Sequence, residues 1–311
     1  MIAIVCPGQG AQTPGFLLPW LADNWFQQSL ESMQVASGLD LVGYGTTADA
    51  DAIRDTAVAQ PLIVAAGVSA LTSILQSRTA AQSGIAGIAG HSVGEITAAV
   101  GAGVFTAEQG ISFVAKRGQA MATAAALEPT SMAAILGGEI ELIEATLKAL
   151  DLEPANYNGA GQIVAAGSVS AIQELQANPP AGSRVIPLQV AGAFHTRFMR
   201  PAVSVMQDFS SSFTVADPAI RLWSNAGGVE VKSGQEFLKM LVSQVASPVR
   251  WDLCMASMLA AGITAVIEVA PAGTLVGLAK RAMPGIETLA VKTPDNLEAA
   301  RTLISNHVNL G

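Results

Sequence analysis

The sequence has few of the residues that bind metals, form disulfides or contact nucleic acids. Its two cysteines, Cys6 and Cys254, lie in apolar runs without the spacing of a metal site or a disulfide framework. We therefore expect reduced core thiols, no metal and a cytoplasmic location. Only 13% of the 311 residues are charged and the formal net charge is −8, which argues against a nucleic-acid partner. The hydrophobic content of 50% predicts an extensively buried core.

The chain also lacks the features of a signal peptide and of a membrane span. Its N-terminal run is apolar without a basic leader and enters a Pro-Gly turn at once, which predicts a buried strand. The stretch from Thr56 to Ser77 has no charge, but Gln60, Pro61 and several hydroxyl residues interrupt it. Such a stretch is typical of a helix packed on a sheet, so we expect no membrane association.

Two patterns of apolar segments divide the chain. Residues 1–127 and 193–311 alternate short apolar runs with helical patterns, as in a parallel sheet covered by helices. Residues 128–192 follow the order β-α-β-β-α-β of the ferredoxin-like arrangement. The sequence thus predicts a discontinuous α/β core with an inserted α+β subdomain, and a substrate cleft between them.

One segment, Gly90-His91-Ser92-Val93-Gly94, has the pattern of a nucleophile elbow. An apolar run at 85–89 predicts a strand before it, and small residues from Glu95 to Val104 predict a helix after it. The serine hydroxyl would be exposed on a tight turn, and the helix would direct free N–H groups at a developing oxyanion. The pentapeptide alone leaves a plain turn equally open.

A nucleophilic serine needs a base, and the chain has only three histidines. His307 lies near the C-terminus, and the His91 side chain should point away from its neighbour Ser92. His195 therefore remains as the predicted base, with a histidine that only caps a turn as the alternative.

No acidic residue completes a convincing triad. Asp151 and Glu153 lie between Ser92 and His195 in the chain, but both fall in the predicted insert. A Ser–His pair oriented by a backbone carbonyl or an amide fits the sequence better.

A helix predicted at 108–126 carries Arg117 at the flank of an apolar stripe that includes Met121. A buried arginine needs an anion, because an unpaired buried charge is costly. Three interpretations stay open: an ion pair with Glu95, a side chain that reaches solvent, or a bidentate clamp on a substrate carboxylate.

The turn after the first strand, residues 7–12, has glycines that let a ligand approach the backbone. The Gln9 amide could complete an oxyanion hole with the Val93 N–H. The glycine spacing does not match a phosphate-binding loop, and a plain tight turn is the alternative.

Taken together, these segments resemble the malonyl-CoA:acyl-carrier-protein transacylases of bacterial fatty acid synthesis, which are related to the acyltransferase domains of polyketide synthases. The resemblance covers nearly the whole chain in order. It rests on Pro7-Gly8-Gln9-Gly10-Ala11-Gln12, Gln60-Pro61, Gly90-His91-Ser92-Val93-Gly94-Glu95, Arg117-Gly118, Asn158 with Gly161-Gln162, Gly192-Ala193-Phe194-His195-Thr196, Pro248-Val249-Arg250-Trp251, Pro271-Ala272-Gly273 and Leu278-Ala279-Lys280-Arg281.

The resemblance implies a hydrolase-like α/β core with a ferredoxin-like insert, and a Ser–His mechanism. Ser92 would accept the acyl group and His195 would be its base, oriented by the main-chain carbonyl of Gln244. The amides of Gln9 and Val93 would form the oxyanion hole.

The resemblance also implies the substrate and the partner. Arg117 would bind the malonyl carboxylate, and Phe194, Asn158 and Met121 would contact the substrate. Malonyl-CoA would be the donor, with no bound cofactor, and the acceptor would be the phosphopantetheine thiol of an acyl carrier protein. A monomer is expected, with a weak candidate docking patch at Arg197, Arg200, Lys280 and Arg281.

Three alternatives remain at this stage. The chain could be a serine thioesterase or a patatin-like lipase, a non-catalytic carrier-protein docking module, or a transacylase for another acyl-CoA in polyketide synthesis.

Overall fold

The computed structural model describes residues 1–308, which form two sheets with covering helices. The strands are β1 (Ile2–Cys6), β2 (Gly87–Gly90), β3 (Thr130–Gly137), β4 (Glu153–Gly159), β5 (Gln162–Ser168), β6 (Ser183–Pro187), β7 (Arg221–Trp223), β8 (Glu230–Val231), β9 (Val249–Arg250), β10 (Ala265–Glu268) and β11 (Glu287–Ala290). The helices are α1 (Asn24–Ser37), α2 (Leu41–Thr46), α3 (Thr56–Leu75), α4 (Gly94–Gly101), α5 (Ala107–Ala125), α6 (Ile140–Ala149), α7 (Val169–Ala177), α8 (Arg200–Ser210), α9 (Gly234–Gln244), α10 (Trp251–Ala260), α11 (Thr274–Ala282) and α12 (Leu297–Val308).

The larger sheet has the strand order β11-β10-β1-β2-β7-β8. Its strands are parallel except for β8, which pairs antiparallel with β7 at the edge. Strands β1, β2 and β10 are buried along their whole length, as expected for a parallel sheet covered on both faces. Because the carboxyl ends of parallel strands meet at one edge, the loops after β1, β2 and β7 converge there.

The helix α3 packs against the helices α1, α4 and α5. It is the one helix within residues 1–308 that is long and apolar enough to cross a membrane, and 89% of its most apolar window is buried inside the fold. This burial is that of a core helix, which is what the sequence predicts for this stretch.

The smaller sheet has the strand order β6-β3-β5-β4-β9. Strands β3 to β6 pair with one another in antiparallel fashion and, with α6 and α7, follow the β-α-β-β-α-β order. The fifth strand, β9, pairs in parallel with β4 through Asn156 and Val249. The smaller sheet therefore takes a strand from outside residues 128–192.

The α/β fold class predicted from the sequence is confirmed, whereas the boundaries of the two subdomains stay a prediction. Several elements went unpredicted, namely the helices α1, α2 and α12 and the strands β8, β9 and β11. The sequence of residues 184–190 predicts the last strand of the insert, but the corresponding strand β6 ends at Pro187.

Candidate active site

Ser92 lies in the turn between β2 and α4, with a backbone φ of 53°. Two glycines make this conformation possible, since a Cβ on Gly90 would collide with the backbone of Gly94, and one on Gly94 with the carbonyls of Cys6 and Pro7. A non-glycine residue at positive φ is strained and is held only when its surroundings fix it. The predicted nucleophile elbow is thus present as a strand, a sharp turn and a helix.

His195 is the histidine that the structure brings to this serine. Its Nε2 lies 2.6 Å from Ser92 Oγ, and its Nδ1 lies 2.8 Å from the carbonyl oxygen of Gln244. A carbonyl can only accept, so Nδ1 carries the proton and Nε2 is free to accept one from the serine. Burial and then the charge of Arg117 lower the pKa of His195 to about 3, which keeps the ring neutral.

Within residues 1–308, no carboxylate hydrogen-bonds to His195. Glu153 and Asp151, the two acids considered from the sequence, both pair with Arg197, at 2.7 and 2.6 Å. Arg197 of the predicted docking patch is therefore ion-paired, and the patch stays a prediction. The orienting group is the backbone carbonyl of Gln244 at the end of α9.

A cavity of about 510 Å³ opens beside the Ser–His pair. The loop containing Gln9 and the start of α4 at Val93 line it next to Ser92. Neither Gln9 nor Val93 donates a hydrogen bond from its backbone N–H to any residue within 1–308. Two free N–H groups beside a serine hydroxyl are what an oxyanion hole requires.

Arg117 reaches the same cavity from α5, although its side chain is only 1% exposed. Its Nη1 donates to Gln60 Oε1 at 2.5 Å and its Nη2 donates to Gln244 Oε1 at 2.8 Å. Burial lowers the pKa of Arg117 to about 10, and the negative charge of Glu95 opposes this shift. The side chain remains a cation whose hydrogen bonds within residues 1–308 use two of its five N–H donors.

The ion pair between Arg117 and Glu95 considered from the sequence does not form. The described residues contain no contact within 4 Å between their charged groups. The amide of Gln244 stands between them and hydrogen-bonds to both.

Of the three other residues predicted to contact the substrate, two line the cavity and one does not. Phe194 and Met121 line the cavity. Asn158 does not line it and instead pairs with Nε2 of His91 at 2.9 Å. Asn156, two residues earlier on β4, is the asparagine that faces the cavity.

The sequence did not point to Asn225, and it did not predict the roles that Glu95 and the Gln244 side chain have behind the serine. Asn225, just after β7, accepts the Ser92 N–H at 2.8 Å, and the Gln244 side chain donates to the Ser92 carbonyl at 3.1 Å. Glu95 is fully buried and accepts hydrogen bonds from the backbone N–H of Asn225 and from the side-chain amide of Gln244. Two features of the sequence could have indicated these residues. One is the single charged residue in the helix 94–101, and the other is an asparagine at the carboxyl end of a parallel strand.

The two cysteines are free and buried, as the sequence indicates. Burial raises the pKa of the Cys254 thiol well above its usual range, so the thiol stays protonated. Within residues 1–308, no cluster of three or more His, Cys, Asp or Glu side chains is arranged around a metal position.

A strained serine hydrogen-bonded to a neutral histidine, at the carboxyl edge of a parallel sheet, is typical of enzymes that carry acyl groups as serine esters. The comparisons with known proteins define the family. The chain belongs to the acyl transferase domain family, whose model matches residues 3–300.

Within that family, the resemblance to the malonyl-CoA:acyl-carrier-protein transacylases is confirmed. The malonyl CoA-acyl carrier protein transacylase of Mycobacterium bovis is 46% identical over 303 residues, which cover 97% of this chain and 100% of that protein. The crystal structure of the Mycobacterium tuberculosis protein has a TM-score of 0.91 at 45% identity, covering 97% of this chain and 99% of that chain. A complex of a malonyl-transacylase with its type II polyketide synthase acyl-carrier protein has a TM-score of 0.90 at 27% identity, covering 97% and 99%.

Proposed function

We propose that this enzyme transfers a malonyl group from malonyl-CoA to the phosphopantetheine thiol of an acyl carrier protein, for fatty acid chain extension. The names of its relatives support the donor and the acceptor. The observation that carries the proposal is the Ser92–His195 hydrogen bond of 2.6 Å in a cavity that Arg117 also lines. Together they offer a nucleophile, a base and a carboxylate site in one cavity.

In the first half-reaction, Ser92 Oγ attacks the thioester carbonyl carbon and its proton passes to Nε2 of His195. The carbonyl oxygen becomes an oxyanion, which the N–H groups of Gln9 and Val93 would stabilise. The C–S bond then breaks, and the CoA sulfur leaves with the proton from His195. The product is a malonyl ester on Ser92.

In the second half-reaction, the carrier's thiol attacks the malonyl ester while His195 takes the thiol proton. The ester C–O bond breaks, and Ser92 Oγ recovers that proton. The carbonyl of Gln244 keeps a proton on Nδ1 and fixes the ring orientation in both the neutral and the protonated state of His195, so no carboxylate is needed. Serine and histidine supply the whole acid–base chemistry, so we propose that no bound cofactor takes part.

Arg117 would select the acyl group. A carboxylate can take up the N–H donors that Gln60 and Gln244 leave free, in a bidentate pair. An acetyl group offers no such partner and leaves the guanidinium without an anion. The proposed preference is therefore for acyl groups that carry a free carboxylate.

Transfer and hydrolysis are distinguished by CoA release in the absence of an acceptor. We expect one equivalent of CoA per enzyme in a burst, followed by slow turnover, because malonyl-Ser92 waits for a thiol. Adding holo carrier protein should restart turnover, whereas the matched apo carrier, which lacks phosphopantetheine, should not. Rapid release of many equivalents without carrier would identify a hydrolase and contradict the proposal.

A further inference from the structure

A buried carboxyl group lies directly behind the elbow. Glu95 is in the first turn of α4 and none of its surface is exposed. It does not line the cavity beside Ser92. Its Oε1 accepts the backbone N–H of Asn225 at 2.6 Å, and its Oε2 accepts from the side-chain amide of Gln244.

Both residues bound to Glu95 also hold the backbone of the strained serine. The Oδ1 of Asn225 accepts the Ser92 N–H at 2.8 Å, and Nε2 of Gln244 donates to the Ser92 carbonyl at 3.1 Å. Asn225 further donates to the carbonyl of Gly90 at 2.8 Å, on the other side of the turn. The peptide groups flanking Ser92 are therefore held by the side chains of two residues, and Glu95 binds one of them through its backbone N–H and the other through its side-chain amide.

The same carboxylate determines which way the Gln244 amide points. A carboxylate only accepts hydrogen bonds and a guanidinium only donates them. The amide must therefore turn its Nε2 to Glu95 and its Oε1 to Arg117, which it meets at 2.8 Å. The backbone carbonyl of the same glutamine orients His195.

We infer that Glu95 is the positioning residue of this site, holding Ser92 at its strained φ and directing the Oε1 of Gln244 to Arg117. It acts through Asn225 and Gln244 and touches no reacting atom. This inference rests on the proposed function.

The charged state of Glu95 matters for this role. A protonated carboxyl can donate a hydrogen bond as well as accept one, so it would no longer force the Gln244 amide to turn its Nε2 toward Glu95. Burial raises the pKa of Glu95 to about 7, against the hydrogen bonds from Asn225, Ser224 and Gln244 and the charge of Arg117. The titratable groups around it are Arg117 from α5 and Cys254 from α10, and burial keeps the Cys254 thiol protonated by raising its pKa.

Protonation of Glu95 should slow acylation at low pH. As the pH falls through about 7, Glu95 takes up a proton and Gln244 loses its fixed orientation, so acylation slows. Burial and the charge of Arg117 lower the pKa of His195 to about 3, so we expect the imidazole to stay neutral across this range. Burial also lowers the pKa of His91, the other histidine that lines the cavity.

The test compares the rate of malonyl-enzyme formation in wild type, Glu95→Gln and the control Glu268→Gln from about pH 6 to about pH 9. Glu268 is also fully buried and accepts N–H groups of Gly273, Leu275 and Val276, but it does not contact the elbow. We expect Glu95→Gln to acylate about tenfold more slowly or worse, with the acid limb removed and the malonyl-to-acetyl preference reduced. Glu268→Gln should keep the wild-type profile.

A Glu95→Gln enzyme with the wild-type rate, or with the wild-type acid limb, would overturn the inference. If Glu95→Gln does not fold, Gln244→Met replaces it, since it removes the amide but keeps the backbone carbonyl for His195. Gln244→Met should lose the acid limb and the malonyl preference. A Gln244→Met enzyme that keeps both would contradict the inference. A wild-type enzyme that forms no malonyl ester would instead contradict the proposed function.

Discussion

At the scale of single residues, the arginine in the cavity is the clearest departure from ordinary packing. Arg117 is almost fully buried, yet its two side-chain acceptors, Gln60 and Gln244, carry no charge. A buried cation without an adjacent anion is unfavourable unless an anion arrives. This is the physical reason for which we propose that a substrate carboxylate binds beside Arg117.

We predict that Arg117→Ala lowers kcat/KM for malonyl-CoA by about 100-fold or more, because a buried charge pair is lost. Acetyl transfer should hold or rise, since acetyl has no carboxylate and the unpaired cation is gone. Steady-state rates with the two acyl-CoA substrates check this prediction. Lys116→Ala, on the same helix but outside the cavity lining, is the control that should change neither rate. An equal loss for both substrates with Arg117→Ala would refute the clamp.

At the scale of elements, the junction of β2 and α4 sets the position of the nucleophile. The helix starts so close to β1 that a side chain at Gly94 would occupy the space of the Cys6 and Pro7 carbonyls. Backbone atoms cannot move aside as a flexible side chain can. The close approach brings the first N–H groups of the helix next to Ser92.

We predict that Gly94→Ala destabilises the fold by about 2 kcal/mol or more, because it forces the helix away from the strand. Gly277→Ala is the control, since a Cβ at this helical position meets nothing nearer than Arg281 Nη1 at 3.9 Å. That change should be neutral or stabilise by about 0.5–1 kcal/mol. Urea unfolding of both variants measures the difference, and equal stability would contradict the close-approach argument.

The local patterns of the sequence predict most elements of the fold and the Ser–His pair. Strand and helix periodicities are properties of neighbouring residues, and the count of histidines left His195 as the base. The network around Glu95 could not be predicted in this way, because Asn225 and Gln244 lie 130 and 149 residues further along the chain. For the same reason the sequence left three interpretations of Arg117 open, and the ion pair with Glu95 does not form because the intervening amide comes from a distant helix.

At the scale of the whole molecule, the two sheets provide different parts of the cavity. The carboxyl edge of the larger sheet contributes Gln9, Ser92 and Val93, and the smaller sheet contributes Met132 and Asn156. The strand β9 joins the smaller sheet directly after the segment that holds Gln244. The substrate cleft predicted between the two parts is therefore consistent with the observed cavity. The monomeric state, the cytoplasmic location and the docking patch at Arg197, Arg200, Lys280 and Arg281 stay predictions.

The central claim is that the malonyl group is held on Ser92 between the two half-reactions. Intact mass measurement after brief exposure to malonyl-CoA tests it most directly, followed by mapping of the modified peptide. We predict one added malonyl group per chain, located on the peptide with Ser92, absent in Ser92→Ala and removed by holo carrier protein. An unmodified mass in an enzyme that still transfers malonyl groups, or an adduct on another residue, would contradict the account.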